Sequence, residues 1–218
     1  MPLSRQQETP MLNLDALEGA PLVAQPFDHC IVSGFLAPAD VQAVLQDFPA
    51  VAKGGSFPLS SLPCGPALTR LAEQLQGSQV AIALGRKFGL DLSKHPTLMT
   101  LRARSRAKDG RIHRDSDDKL LTALLYLNDD WSDDNGRLRL LKGPADIEDY
   151  AVEVEPQAGT LLVFRCTDRS WHGHKPYEGV RQVLQINWVT DAAVVRREQW
   201  RHGFSAWIKT LFSKVRPT

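Results

Sequence analysis

Between residues 98 and 189 apolar and polar side chains alternate in short runs, broken by turn-forming residues, which is the period-two pattern of strands with one face in a core. The runs predict strands at 98–104, 111–115, 120–128, 137–141, 151–155, 160–165, 171–175 and 180–189. Eight short strands in succession predict a jelly roll, the cupin-like double-stranded β-helix. Upstream the period is helical. PFDHCIVSGFLAPADVQAVLQDFP reads as a short strand at Cys30 to Val32, then a helix opened near Pro38, carrying Val41, Val44 and Leu45 and ended by Pro49. The Gly-, Ser- and Pro-rich stretch 52–66 predicts a loop able to roof a cleft, and Ala67 to Phe88 predicts a helix broken near Gly77. The class is therefore α+β and mainly β. Residues 1–24 are expected to be a loosely packed leader, 25–97 a strand and helices supporting the core, and 98–190 the β-helix core. Residues 191–218 predict an amphipathic C-terminal helix, with Trp200, Phe204, Trp207, Ile208 and Leu211 on one side.

Charge narrows the partners. With 26 Lys and Arg against 25 Asp and Glu, the net charge of +1 gives no field that would collect a polyanion, and no nucleic acid is expected. Cys30, Cys64 and Cys166 are odd in number and lack a CxxC pair, which argues against a disulfide framework or a thiolate zinc site and for a reducing compartment. No run is long and apolar enough to span a bilayer, so the expected location is cytoplasmic. The C-terminal stripe could contact a membrane surface or a partner, but packing outside the barrel is the commoner use of such a helix.

The chemistry concentrates in two segments. In GRIHRDSD, His113 and Asp115 stand two apart, and on a strand both would project from one face. SWHGHKP offers a third ligand, His172 or His174. Two imidazoles and one carboxylate on one side of a metal form the facial triad that suits iron(II) and leaves open positions for oxygen chemistry. HxD alone is a weak signal, so the arginine that follows is the discriminating residue. In GVRQVLQINWV, Arg181, Val183, Gln185 and Asn187 share one face against Leu184, Ile186 and Trp188. A guanidinium aimed into a barrel without a partner costs several kcal/mol, so an anionic ligand is its natural complement. In LLTALLYLN, Thr122, Leu124, Tyr126 and Asn128 share the corresponding face, which brings Tyr126 and Thr122 toward the same anion.

Taken together, HRD, LTALLYLNDDW, NGRLRL, VEVEPQAGTLLVF, SWHGHKP and GVRQVLQINW resemble, in order and spacing, the prolyl-4-hydroxylase-like branch of the Fe(II)/2-oxoglutarate-dependent oxygenase superfamily. The resemblance implies that His113, Asp115 and His172 bind Fe(II), with His172 chosen over His174. It implies that Arg181 and Tyr126 hold 2-oxoglutarate, with Thr122 beside them. It implies O2 as oxidant and leaves room for ascorbate. The implied reaction is hydroxylation of a C–H bond, with 2-oxoglutarate released as succinate and CO2. Arg104 stands where many relatives carry Tyr, and Val183 where many carry Ser. The substrate is open among a small molecule, a saccharide and a peptidyl residue. The competing reading is a jelly roll that binds a sugar or peptide without catalysis, or uses another metal, and it leaves Arg181 without a purpose.

Overall fold

The alternating segment folds into two facing antiparallel sheets, and the helical segment covers one of them. The structure, a computed structural model, describes residues 10–197. Within them run α1 (Leu14–Gly19), β1 (His29–Val32), α2 (Pro38–Gln46), β2 (Ser56–Pro58), α3 (Pro66–Leu75) and α4 (Ser78–Phe88). The strands β3 (Thr97–Ser105), β4 (Lys119–Tyr126), β5 (Leu138–Leu141), β6 (Tyr150–Val154), β7 (Leu161–Arg165), β8 (His172–Gly173) and β9 (Gly179–Val189) follow. The larger sheet has the order β1-β7-β4-β9-β3-β2 and the smaller β6-β5-β8, which is the double-stranded β-helix expected.

Strand alternation sorts the side chains into two cores. Leu121, Ala123 and Leu125 of β4 and Leu184, Ile186 and Trp188 of β9 pack against the helices. The alternate residues Leu124, Tyr126 and Val183 turn inward to meet Leu138 and Leu140 of the small sheet. The helices are amphipathic for the same reason. In α3, Leu68, Leu71, Ala72 and Leu75 recur at helical spacing and are buried. Gly77 breaks the helical run where expected and serves as N-cap of α4, which ends at Gly89 in the left-handed region at φ 64°.

Four expectations need correction. The leader is not loose throughout, because Met11, Leu12 and Leu17 are buried in the main core and α1 is capped by the Asn13 side chain. Their scattered leucines carried too short a period to reveal that packing. Residues 111–115 form no strand, only an isolated bridge between His113 and His172. The strand expected at 171–175 shrinks to the two residues of β8. The 52–66 loop carries β2, which pairs with β3 through Ser56 and Arg102. At the other end a helix occupies 192–197, whereas the stripe from Trp200 to Leu211 lies outside the described residues.

Candidate active site

The site is built where the small sheet's edge meets the inner face of the large one. His113 and His172 form a backbone pair, each N–H donating to the other's carbonyl at 2.9 Å, and their rings lie 4.3 Å apart between centroids. The Nδ1 of His113 faces the Arg111 carbonyl at 2.8 Å, and that of His172 faces the Ser170 carbonyl at 2.9 Å. A carbonyl only accepts, so each Nδ1 carries a proton and Nε2 is the ring atom left to bind a metal. Burial, helped by His113, lowers the His172 pKa to about 4, which keeps the ring neutral as a metal ligand must be. Single donor atoms of His113, Asp115 and His172 all lie within 4.8 Å of one another.

Asp115 arrives by a different route from the one its spacing suggested. With no strand under it, the carboxylate is aimed by side chains: Lys119 Nζ donates to Oδ1 at 2.8 Å and the Thr122 hydroxyl donates to Oδ2. Thr122 accepts from Asn187 Nδ2 at 2.7 Å, and Asn187 Oδ1 accepts from Gln185 Nε2 at 3.0 Å. Every donor in this chain points toward Asp115. Burial pushes the Asp115 carboxyl up, yet the Lys119 and His172 charges and the two donors outweigh it and hold it down to about 2. Thr122 was expected beside 2-oxoglutarate. Its hydroxyl is committed to Asp115 instead, because β4 pairs Thr122 with Asn187 of β9. Cys166 Sγ sits 3.3 Å from the same hydroxyl, and burial together with Asp115 pushes its thiol up to about 12, far from a reactive thiolate.

The far end of the cavity is different. A pocket lined by the triad extends past Leu124 and Val183 to Arg181, with Arg102, His174 and Gln185 on its walls. Arg181 is 4% exposed; its Nε donates to the Gly136 carbonyl at 3.0 Å, and its Nη2 has no partner among the described residues. The Tyr126 hydroxyl is equally buried and unpartnered, with the Arg181 guanidinium carbon 5.7 Å from its ring centre. Burial pushes the Tyr126 phenol up to about 12 despite that neighbouring positive charge, so it remains a donor. Burial likewise lowers the Arg181 pKa, as expected for a desolvated cation.

His174, the alternative ligand, lines the same cavity but is not one of the three converging residues: its Nδ1 donates to the Lys175 carbonyl at 2.7 Å and its ring covers Gly110. Arg104 is exposed, because a bulge between Arg102 and Arg104 leaves Arg102 as the β3 arginine on the cavity wall. Arg102 pairs with Asp109 at 2.8 Å and donates to Ser56 Oγ at 3.1 Å. Sequence reading assigned no part to Lys119, Asn187, Gln185 or Arg102. The shared face of Arg181, Gln185 and Asn187 was a signal for two of them; the bulge hid Arg102.

The site's donor set fits iron(II): two imidazoles and one carboxylate converge. A β-helix carrying such a triad offers the ligand set of a non-haem iron site. Residues 102–190 match the family model of the 2OG-Fe(II) oxygenase superfamily. Over this segment the chain is similar to Fe(II)- and 2-oxoglutarate-dependent oxygenases, and His113, Asp115 and His172 offer the ligands that such chemistry uses. The fold is similar to that of a Pseudomonas putida prolyl-4-hydroxylase (TM-score 0.56, 22% identity, 81% of this chain and 97% of that one). It is also similar to a prolyl 4-hydroxylase from Phytophthora capsici (TM-score 0.56, 17% identity, 87% and 69%). HygX from Streptomyces hygroscopicus, solved with nickel and 2-oxoglutarate, is a third such structure (TM-score 0.52, 13% identity, 75% and 82%). Among curated proteins nothing matches the chain.

Proposed function

We propose that His113, Asp115 and His172 hold iron(II), and that Arg181 and Tyr126 receive the distal carboxylate of 2-oxoglutarate at the other end of the same cavity. The observation that carries this reading is Arg181, a buried cation with an unpartnered Nη2 that lines one pocket with the triad, backed by the buried Tyr126 hydroxyl, which likewise meets no acceptor. Leaving two such groups unsatisfied costs about 1–3 kcal/mol each, more for the charged one, unless an anion meets them.

Iron bound at the triad supplies activation of O2 and of the 2-oxo acid. The chain's own residues do the positioning. The carbonyls of Arg111 and Ser170 fix both imidazole tautomers, Lys119 and Thr122 fix the carboxylate, and the walls at Leu124, Leu138 and Val183 exclude water. In the net reaction one oxygen atom enters a substrate C–H bond as hydroxyl and the other enters succinate, with loss of CO2. The substrate is a small molecule, a saccharide or a peptidyl residue that approaches past the 52–66 segment and the 104–111 turn. Arg104, Lys108 and Arg111 on that turn favour one with an anionic group. A reducing, cytoplasmic setting agrees with the free thiols of Cys30, Cys64 and Cys166.

The test is anaerobic loading with iron(II) and 2-oxoglutarate, then admission of air and measurement of succinate with and without candidate substrates. Succinate formation that needs both iron and 2-oxoglutarate is expected. Protein that takes up iron yet neither binds 2-oxoglutarate nor forms succinate would refute the reading.

A further inference from the structure

The Arg181 guanidinium lies beside Tyr126, and its one well-aligned hydrogen bond among the described residues, from Nε to the Gly136 carbonyl, sets its plane. What holds Gly136 in place therefore decides where Arg181 points. Gly136 sits at φ 74°, in the left-handed region that L side chains rarely adopt. A Cβ there would stand 2.8 Å from the Trp131 ring and 3.0 Å from Tyr177, so glycine is required for space as well as for conformation. Trp131 and Tyr177 pack at 4.7 Å between centroids, tilted by 50°. Tyr177 is fixed in turn: its hydroxyl donates to the Val180 carbonyl at 3.1 Å, one residue before Arg181. A Cβ on Gly179 would lie 2.7 Å from that hydroxyl. Two glycines thus admit one aromatic pair, and the pair clamps the loop before β5 onto the start of β9.

We infer that Trp131, Gly136 and Tyr177 form a positioning clamp for the co-substrate, aiming Arg181 Nη2 at the distal carboxylate through the Gly136 carbonyl. None of the three touches the triad in the contacts described, so the clamp governs 2-oxoglutarate affinity and leaves metal affinity alone. The inference rests on the proposed role of Arg181.

The experiment uses the full chain under anaerobic conditions, with Mn(II) as the metal. Binding of 2-oxoglutarate and of 2-oxobutyrate, which lacks the distal carboxylate, is measured by calorimetry for the wild type, Tyr177→Ala, Tyr177→Leu and Tyr177→Phe. Tyr177→Ala and Tyr177→Leu are expected to weaken 2-oxoglutarate at least 10-fold, with 2-oxobutyrate and Mn(II) within about 2-fold of wild type. Tyr177→Phe keeps the ring pair and is expected to recover most of the affinity. Tyr177→Leu guards against a folding defect, because it retains apolar volume at the site. Unchanged 2-oxoglutarate affinity, or equal losses for both acids, would overturn the clamp. A wild type that does not prefer 2-oxoglutarate over 2-oxobutyrate would remove the role of Arg181 itself, and the clamp's purpose with it.

Discussion

The two ends of the cavity are built in opposite ways. At the metal end the groups that aim the triad have partners: both Nδ1 atoms meet carbonyls, and both carboxylate oxygens of Asp115 meet donors. At the far end Arg181 Nη2 and the Tyr126 hydroxyl lie beside each other, and neither meets an acceptor of good geometry among the described residues. A satisfied network rigidifies ligands around a small ion, whereas unsatisfied buried donors mark the seat of a ligand that brings its own acceptors. The contrast separates residues that organise the protein from residues that wait for a molecule.

The largest effect should come from the triad. His172→Ala is expected to abolish Fe(II) or Mn(II) binding in an anaerobic titration, and His174→Ala to leave it within a few-fold, since that ring faces Gly110. The reverse result would exchange the two histidines and break the site as described. Next comes Arg181→Met, expected to weaken 2-oxoglutarate by about 2–4 kcal/mol, roughly 30- to 1000-fold, with metal affinity unchanged. The same variant sharpens the contrast in another way. Without ligand its melting temperature should equal or exceed that of the wild type, because an unpaired buried charge has been removed, and the rise on adding 2-oxoglutarate should vanish.

Thr122→Val is expected to lower metal affinity roughly 10- to 100-fold by freeing Asp115, with Thr122→Ser close to wild type. If 2-oxoglutarate binding at saturating metal fell instead, the hydroxyl would belong to the far end after all. The smallest effect concerns Asp109, the ion-pair partner of the wall residue Arg102. Burial raises its pKa, but hydrogen bonds from Arg106 and the Arg102 and Arg106 charges outweigh this and hold it down to about 2 from an ordinary 3.8. A depressed carboxyl stabilises the fold above its unfolded pKa and loses that contribution as pH falls toward the folded one. Asp109→Asn should therefore lower the melting temperature at pH 7 by about 2–4 °C, and the gap from wild type should close between about pH 4 and pH 2.

Alternation alone placed the inward faces of β4 and β9 correctly, with Tyr126 and Arg181 on them. It did so because each strand is long and hydrogen-bonded on both edges, so period two is enforced over its whole length. It misplaced 111–115 for the converse reason. That segment makes one bridge to His172, too little pairing to impose a strand, and local loop hydrogen bonds decide its path.

The sequence by itself therefore determined the class of fold and drew attention to His113, Asp115 and Arg181, since periodicity and residue type are local properties written along the chain; spacing alone left His172 and His174 open, and the family resemblance favoured His172. Only the tertiary structure decided how Asp115 is aimed, that Thr122 serves the carboxylate, that Arg102 rather than Arg104 lines the cavity, and that Gly136 holds Arg181. Each of these depends on register, a bulge or a loop crossing, where residues far apart in the chain meet through hydrogen bonds and packing that no single segment specifies.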